Sequence, residues 1–223
     1  MLKEIIAAWK GKSFMNKVVE TFGRMLADAE YVFNHAWEVV MGQAMIDEIK
    51  GPLHDKDAAV NEHERAIRRM LAEHLSINPA QDISGCLAMM SLVKDAERIG
   101  DYSKNIFDLG VMLQGTIKDI KYLDRLSDIH ERITKNFPLL IRAYLDSNAI
   151  IADEILKDYA PIKEECNKIL QDLFEDELST RESVATALLS RYLKRINSHV
   201  SNIASGIVYP LDKLDFVKGG LSE

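Results

Sequence analysis

Glu97 and Asp101 stand four positions apart, with Asn105 a further four along, so on a helix the three side chains share one face. The two carboxylates then lie roughly 6 Å apart at Cβ. Their joint field suits a hard cation or a transition metal bound through oxygen. The competing account is a solvated helix face on which Arg98 or Lys104 compensates the acids. A second acidic edge is offered by Asp57, Asn61 and Glu64, of which Asp57 can instead cap a helix.

The acidic pair belongs to a segment that occurs twice. Lys94-Asp95-Ala96-Glu97-Arg98-Ile99-Gly100-Asp101-Tyr102-Ser103-Lys104-Asn105-Ile106 is repeated 97 residues later as Arg191-Tyr192-Leu193-Lys194-Arg195-Ile196-Asn197-Ser198-His199-Val200-Ser201-Asn202-Ile203. Arg, Ile, Asn and Ile recur at matched positions, and a period near half the chain indicates a duplicated structural unit. Where the first copy has Glu97 and Asp101, the second has Lys194 and Ser198. Lys163 and Cys166 likewise stand where the first unit has Asn61 and Glu64, so a metal site is confined to the first unit.

The elements that position these residues are helical. Only five prolines and eleven glycines interrupt 223 residues, and Ala, Leu, Ile, Glu and Lys are abundant. Apolar residues at spacings of three and four, from Val18 to Val39, predict a helix from about Phe14 to Lys50, on the order of 50 Å long. Gly51-Pro52 is expected to end it. Asp55 or Asp57 then caps a second helix with Val60, Ala66/Ile67 and Met70/Leu71 buried. Asn78-Pro79 marks the next turn, and a third helix runs to about Leu113. In heptads, Met89, Ala96, Ser103 and Gly110 take a, Leu92, Ile99 and Ile106 take d, and Val93, Gly100 and Phe107 take e. Gly100 and Ser103 on that stripe suggest close helix–helix approach, while Glu97 and Asp101 fall on the opposite side. The second copy keeps Leu193, Val200 and Ile207 at a, with Leu189, Ile196 and Ile203 at d.

Gly115-Thr116 is read as the junction between units. A fourth helix reaches about Ser147 and is expected to kink or break at Phe137-Pro138. In a fifth, Ile162, Ile169 and Leu173 match Val60, Ile67 and Leu71 at an offset of 102, and a sixth begins near Thr180. The expected fold is all-α: two tandem three-helix bundles, six helices in all, over residues 1–115 and 116–223, with a tail fraying from Pro210.

The net charge of −7 and pI near 5.5 argue against a general nucleic-acid binder. Cys86 and Cys166 lack a CxxC partner and read as buried free thiols in a reducing compartment. The apolar stretch Ile5–Trp9 is too short for a signal peptide, and Ile83–Val93 and Asn197–Leu211 are too short and polar to span a bilayer. A cytoplasmic protein is expected. The six histidines show no ligand spacing, with His54 read as a loop residue and His199 as surface or cap. No Glu-x-x-His, zincin, Gly-x-Ser-x-Gly or phosphate-cradling loop is present, and the chain is not read as an enzyme.

Ala96-Glu97-Arg98-Ile99-Gly100-Asp101-Tyr102-Ser103-Lys104-Asn105-Ile106 resembles the signature of the PhoU family of phosphate-transport accessory and regulatory proteins. Asp57-Ala58-Ala59-Val60-Asn61-Glu62-His63-Glu64-Arg65-Ala66-Ile67 resembles that family's Asp-x-x-Val-Asn-x-x-Glu-x-x-Ile. The likeness spans about residues 14–208. It implies tandem three-helix bundles, often dimeric, and acidic surface motifs that bind iron or zinc. Carried over, the metal ligands would be Glu97 and Asp101, with Glu64 a weaker match. The resemblance further implies a negative regulator of phosphate uptake and phosphate-starvation signalling. Its partners would be a phosphate transporter and/or a sensor histidine kinase, and it would be peripheral to the membrane at most. A domain serving a sodium–phosphate symporter is similar. The competing classes are a carboxylate metal-binding bundle and a helical adaptor with inert acids.

Overall fold

A computed structural model of the chain describes residues 13–77, 82–114, 117–210 and 213. Among the described residues six helices follow one another: α1 (Ser13–Val40), α2 (Ile46–Ile77), α3 (Ile83–Leu113), α4 (Ile120–Leu145), α5 (Ala149–Glu175) and α6 (Thr180–Val208). Among the described residues there is no strand. The expected turn at Asn78-Pro79, the junction at Gly115-Thr116 and the stretch Ile5–Trp9 lie outside the described residues.

The first helix is shorter than its periodicity suggests. Gly42, at φ 66°, takes the left-handed conformation that glycine adopts without penalty, and ends α1 at Val40. The Gln43 N–H donates to Glu38 O (2.8 Å) and the Gly42 N–H to Val39 O (3.0 Å), the paired bonds of a Schellman cap. Gly51-Pro52, expected to be the stop, instead lies inside α2. Pro52 sits near the start of that helix, where its missing N–H frees only the Glu48 carbonyl. His54, Asp55 and Asp57 are therefore helical residues, neither loop nor cap. Likewise α4 is one continuous helix through Pro138.

The remaining starts follow side-chain capping. Asp119 accepts from the Tyr122 N–H, Asn148 from the N–H groups of Ile150 and Ile151, and Ser179 from the Glu182 N–H. Each cap satisfies donors that the first helical turn leaves without a partner.

Helices α1–α3 pack on one another, as do α4–α6, and the two bundles meet along α1 against α4 and α3 against α6. All heptad positions named for α3 and α6 are buried. Val60, Ile67 and Leu71 of α2 are fully covered, as are Ile162 and Ile169 of α5, whereas Leu173 is only half-buried. Each bundle thus buries one continuous apolar stripe per helix, the main favourable term in holding it together. The closest approach falls at Gly110, whose missing Cβ would lie 2.9 Å from Val40 N. At Gly100 the nearest atom, Val60 Cγ1, stands 3.5 Å away, an ordinary contact.

Along the α1–α4 contact, the rings of Trp37 and His130 stack at 4.2 Å, and Phe22 meets Tyr144 edge-on at 4.7 Å. Across α3 and α6, Asp95 meets Asn202 while Tyr102 meets Arg195, so these two helices run antiparallel. Cys86 and Cys166 are both free and buried, and burial pushes each thiol up to about 11. No described helix is long and apolar enough to cross a membrane.

Candidate functional site

The i, i+4 spacing does place Glu97 and Asp101 on one face of α3, near its α2 side. What surrounds them is cationic. Lys94 Nζ donates to Glu97 Oε2 at 2.6 Å, and the Glu97 side chain retains only 12% of its exposure. Arg98 Nη1 reaches Asp101 Oδ2 at 3.4 Å, and Lys104 Nζ lies 3.8 Å from Asp101 Oδ1. The same Lys104 Nζ donates to Asp57 Oδ2 across the helix pair at 3.0 Å. Burial, followed by the charge of Glu97, holds the Asp101 carboxyl above the usual carboxylate range. Lys104 and Arg98 pull against that shift, and Asp57 adds to it.

The two acidic edges therefore do face each other, with Asp57 as the contributor from α2. Asp57 Oδ1 would stand 3.8 Å from a Cβ at position 100, so the small Gly100 leaves room for it. Asn61 donates to the Asp57 backbone carbonyl on its own helix (3.0 Å). Glu64 is buried and engaged by Arg68, whose Nη2 stands 2.9 Å from Oε1. That oxygen makes no aligned hydrogen bond, so charge alone holds the pair.

Iron or zinc would have to be held by Glu97 and Asp101, with Glu64 in support. The donors do not fit that role as arranged. Glu97 and Asp101 hold neighbouring cations, and Glu64 is engaged on its own helix. Among the described residues, no group of three or more His, Cys, Asp or Glu side chains is placed to hold a metal ion. The competing account, a helix face whose acids are compensated by neighbouring cations, describes this geometry better.

Two arrangements escaped the sequence reading. The first is a polar seam between the bundles. Asp95 Oδ1 accepts from His199 Nδ1 at 2.7 Å and from Asn202 Nδ2 at 3.0 Å, with Asp95 and His199 both buried. His199 is thus an interior residue, neither surface nor cap, stacked on Tyr102 at 5.7 Å. The available signal was that α6 keeps an apolar stripe on both sides of His199. The second is the edge of α5 and α6 that corresponds to the acidic edge. There Lys194 takes the place of Glu97, and its Nζ donates to Asn167 Oδ1 at 2.5 Å.

Exposed apolar side chains gather where α3 ends, α5 ends and α6 begins. Phe174 is 89% exposed and Met112 72%, with Val184 between two shallow grooves that they border. Large exposed apolar side chains clustered in this way are candidates for contact with other molecules.

Comparison with known proteins agrees with this architecture. The PhoU domain matches twice, over residues 15–109 and 126–207. A phosphate-specific transport system accessory protein PhoU homolog of Deinococcus radiodurans is 24% identical over 191 residues, covering 83% of this chain and 88% of that protein. The crystal structure of PhoU from Pseudomonas aeruginosa superposes with a TM-score of 0.78 at 21% identity, covering 90% of this chain and 98% of that one. The phosphate transport system regulatory protein PhoU from Streptococcus pneumoniae gives 0.71 at 20% identity, covering 92% and 100%. With the domain matched in both halves and all six helices in place, the chain belongs to the PhoU family.

Proposed function

We propose that this chain is a cytoplasmic regulator that restrains phosphate uptake and phosphate-starvation signalling by contact with a phosphate transporter, a sensor histidine kinase, or both. The observation that carries the reading is the PhoU domain matched in each half of the chain, in a fold shared with a phosphate transport system regulatory protein. The two domain matches, over residues 15–109 and 126–207, support units of residues 1–115 and 116–223, and a homodimer is part of the proposal. Nothing in the site calls for catalysis: its charged groups neutralise one another, and both thiols are held protonated. The exposed apolar side chains of Phe174, Met112 and Val184 offer surface for a partner.

Affinity capture from cells grown in phosphate-rich medium tests it. Recovery of a phosphate carrier or its kinase is the expected result. Recovery of neither, with starvation genes still repressed after deletion, would remove the proposal. Metal dependence is the second reading, and elemental analysis of purified protein separates the two. With Lys94 and Arg98 on the carboxylates, we expect substoichiometric iron and zinc, unchanged in Glu97→Ala/Asp101→Ala. Stoichiometric metal lost in that variant would favour the metal-dependent reading.

A further inference from the structure

Lys194 and Arg191 lie one turn apart on α6, Lys163 lies one turn from Asn167 on α5, and the Lys194–Asn167 hydrogen bond brings these pairs together, with Arg195 bordering them on the α3 side. Among the described residues, no carboxylate forms an ion pair with any of the four. On the corresponding edge of the first bundle, Glu97, Asp101 and Asp57 are each matched by a cation. The chain as a whole carries a charge of −7, so the patch is not a by-product of basic composition. Burial, then repulsion from Arg191, Lys163 and Arg195, holds the Lys194 ammonium below the ordinary lysine range.

The patch is also held in place. Asn167 fixes Lys194, as described. Arg195 lies over the Tyr102 ring, with Cζ 5.5 Å from the centroid, and its Nε donates to the Tyr102 hydroxyl at 3.2 Å. Lys163 Nζ stands 5.7 Å from the Tyr159 ring centroid. Holding like charges together without a counter-ion costs free energy, and a bound anion removes that cost. The Arg191 guanidinium fork and two ammonium groups make a donor set suited to an anion with several oxygens, and Arg195 adds positive charge from the Tyr102 side. Arg191 and Lys194 sit one turn apart on α6, and Lys163 sits one turn from the Asn167 that holds Lys194, a compact set matched to one anion rather than an extended acidic segment.

We propose that this edge of α5 and α6 is a binding site for a phosphate-class oxyanion, with Lys194, Arg191 and Lys163 as its donors. The anion is either free inorganic phosphate or the phosphoryl group of a small molecule. This inference stands apart from the regulatory reading, since it concerns the purified chain alone.

Calorimetric titration of the full chain at constant ionic strength tests it, with inorganic phosphate, metal-free adenosine triphosphate and sodium chloride as titrants. Saturable binding of phosphate, weakened roughly tenfold by Lys194→Gln and by Arg191→Gln but not by Asp101→Asn, is expected. Saturable binding of the triphosphate alone, with the same response to substitution, assigns the site to a phosphoryl-bearing small molecule. Heats no different from those of chloride, or binding indifferent to both substitutions, overturn the proposal. Arg191 is exposed, so Arg191→Gln keeps the fold and decides the matter even if Lys194→Gln does not fold. Melting curves supply a second readout: phosphate raises Tm in the parent chain and not in Arg191→Gln.

Discussion

Two glycines on α3 differ in what they do, although both lie on its buried stripe. At Gly110 a methyl group would meet the Val40 backbone nitrogen at 2.9 Å and Val39 Cγ1 at 3.0 Å, and backbone cannot move aside. Gly110→Ala is therefore expected to lower stability by about 1–3 kcal/mol. At Gly100 the nearest neighbour is a valine methyl at 3.5 Å. Alanine there fits and gains helix propensity, so Gly100→Ala should be neutral or stabilising by up to about 1 kcal/mol. Denaturant midpoints at unchanged slope measure both; equal losses at the two positions would contradict the packing account. The acidic pair was legible at this scale because i, i+4 spacing fixes a shared face wherever a helix forms. What spacing could not show was that Asp57 comes from α2 to share Lys104. That contact depends on how two helices are rotated against each other.

At the scale of the element, the stripes on α3 and α6 were read correctly because a period near 3.6 is imposed by burial itself. Helix ends were less legible. Gly42 and Gly51-Pro52 both signal a stop, and the sequence carries no measure of which one takes the left-handed conformation. The α1–α4 contact holds another feature that patterning does not reveal. His130 stacks on Trp37 and packs against Phe33 at 4.7 Å, and burial lowers its pKa to about 3. In the unfolded chain the same imidazole protonates near its ordinary value of 6.5. Below that value the unfolded state takes up a proton that the folded state refuses, so stability is full above pH 6.5 and declines as pH falls toward 3. The loss at pH 4 relative to pH 7.5 is on the order of 3 kcal/mol at most. His130→Phe should keep the stack and flatten this part of the pH profile of unfolding. An unchanged profile would show that other groups carry the acid response.

For the molecule as a whole, duplication foretold two similar bundles but not how they join. The repeat compares α3 with α6, and a comparison of sequences is silent on whether the compared segments touch. They do touch, antiparallel, through the Asp95, His199 and Asn202 seam. The seam is costly to break from one side, because a buried polar group without its partner forfeits its hydration and gains nothing in return. His199 already has one ring nitrogen, Nε2, buried without a hydrogen-bond partner, so Nδ1 has only Asp95 to satisfy it. Asp95→Ala would strand both His199 and Asn202, and is expected to cost about 2–4 kcal/mol. His199→Leu/Asn202→Leu in the same background should recover much of that loss, since no polar group is then left unpaired. The cost should fall first on the union of the bundles, since the lost bonds join α3 of one to α6 of the other, although the apolar core runs through both. Calorimetric unfolding of Asp95→Ala should accordingly separate into two transitions where the parent chain shows one. A single transition, shifted but undivided, would mean that the aromatic contact of α1 with α4 couples the bundles without help from the seam.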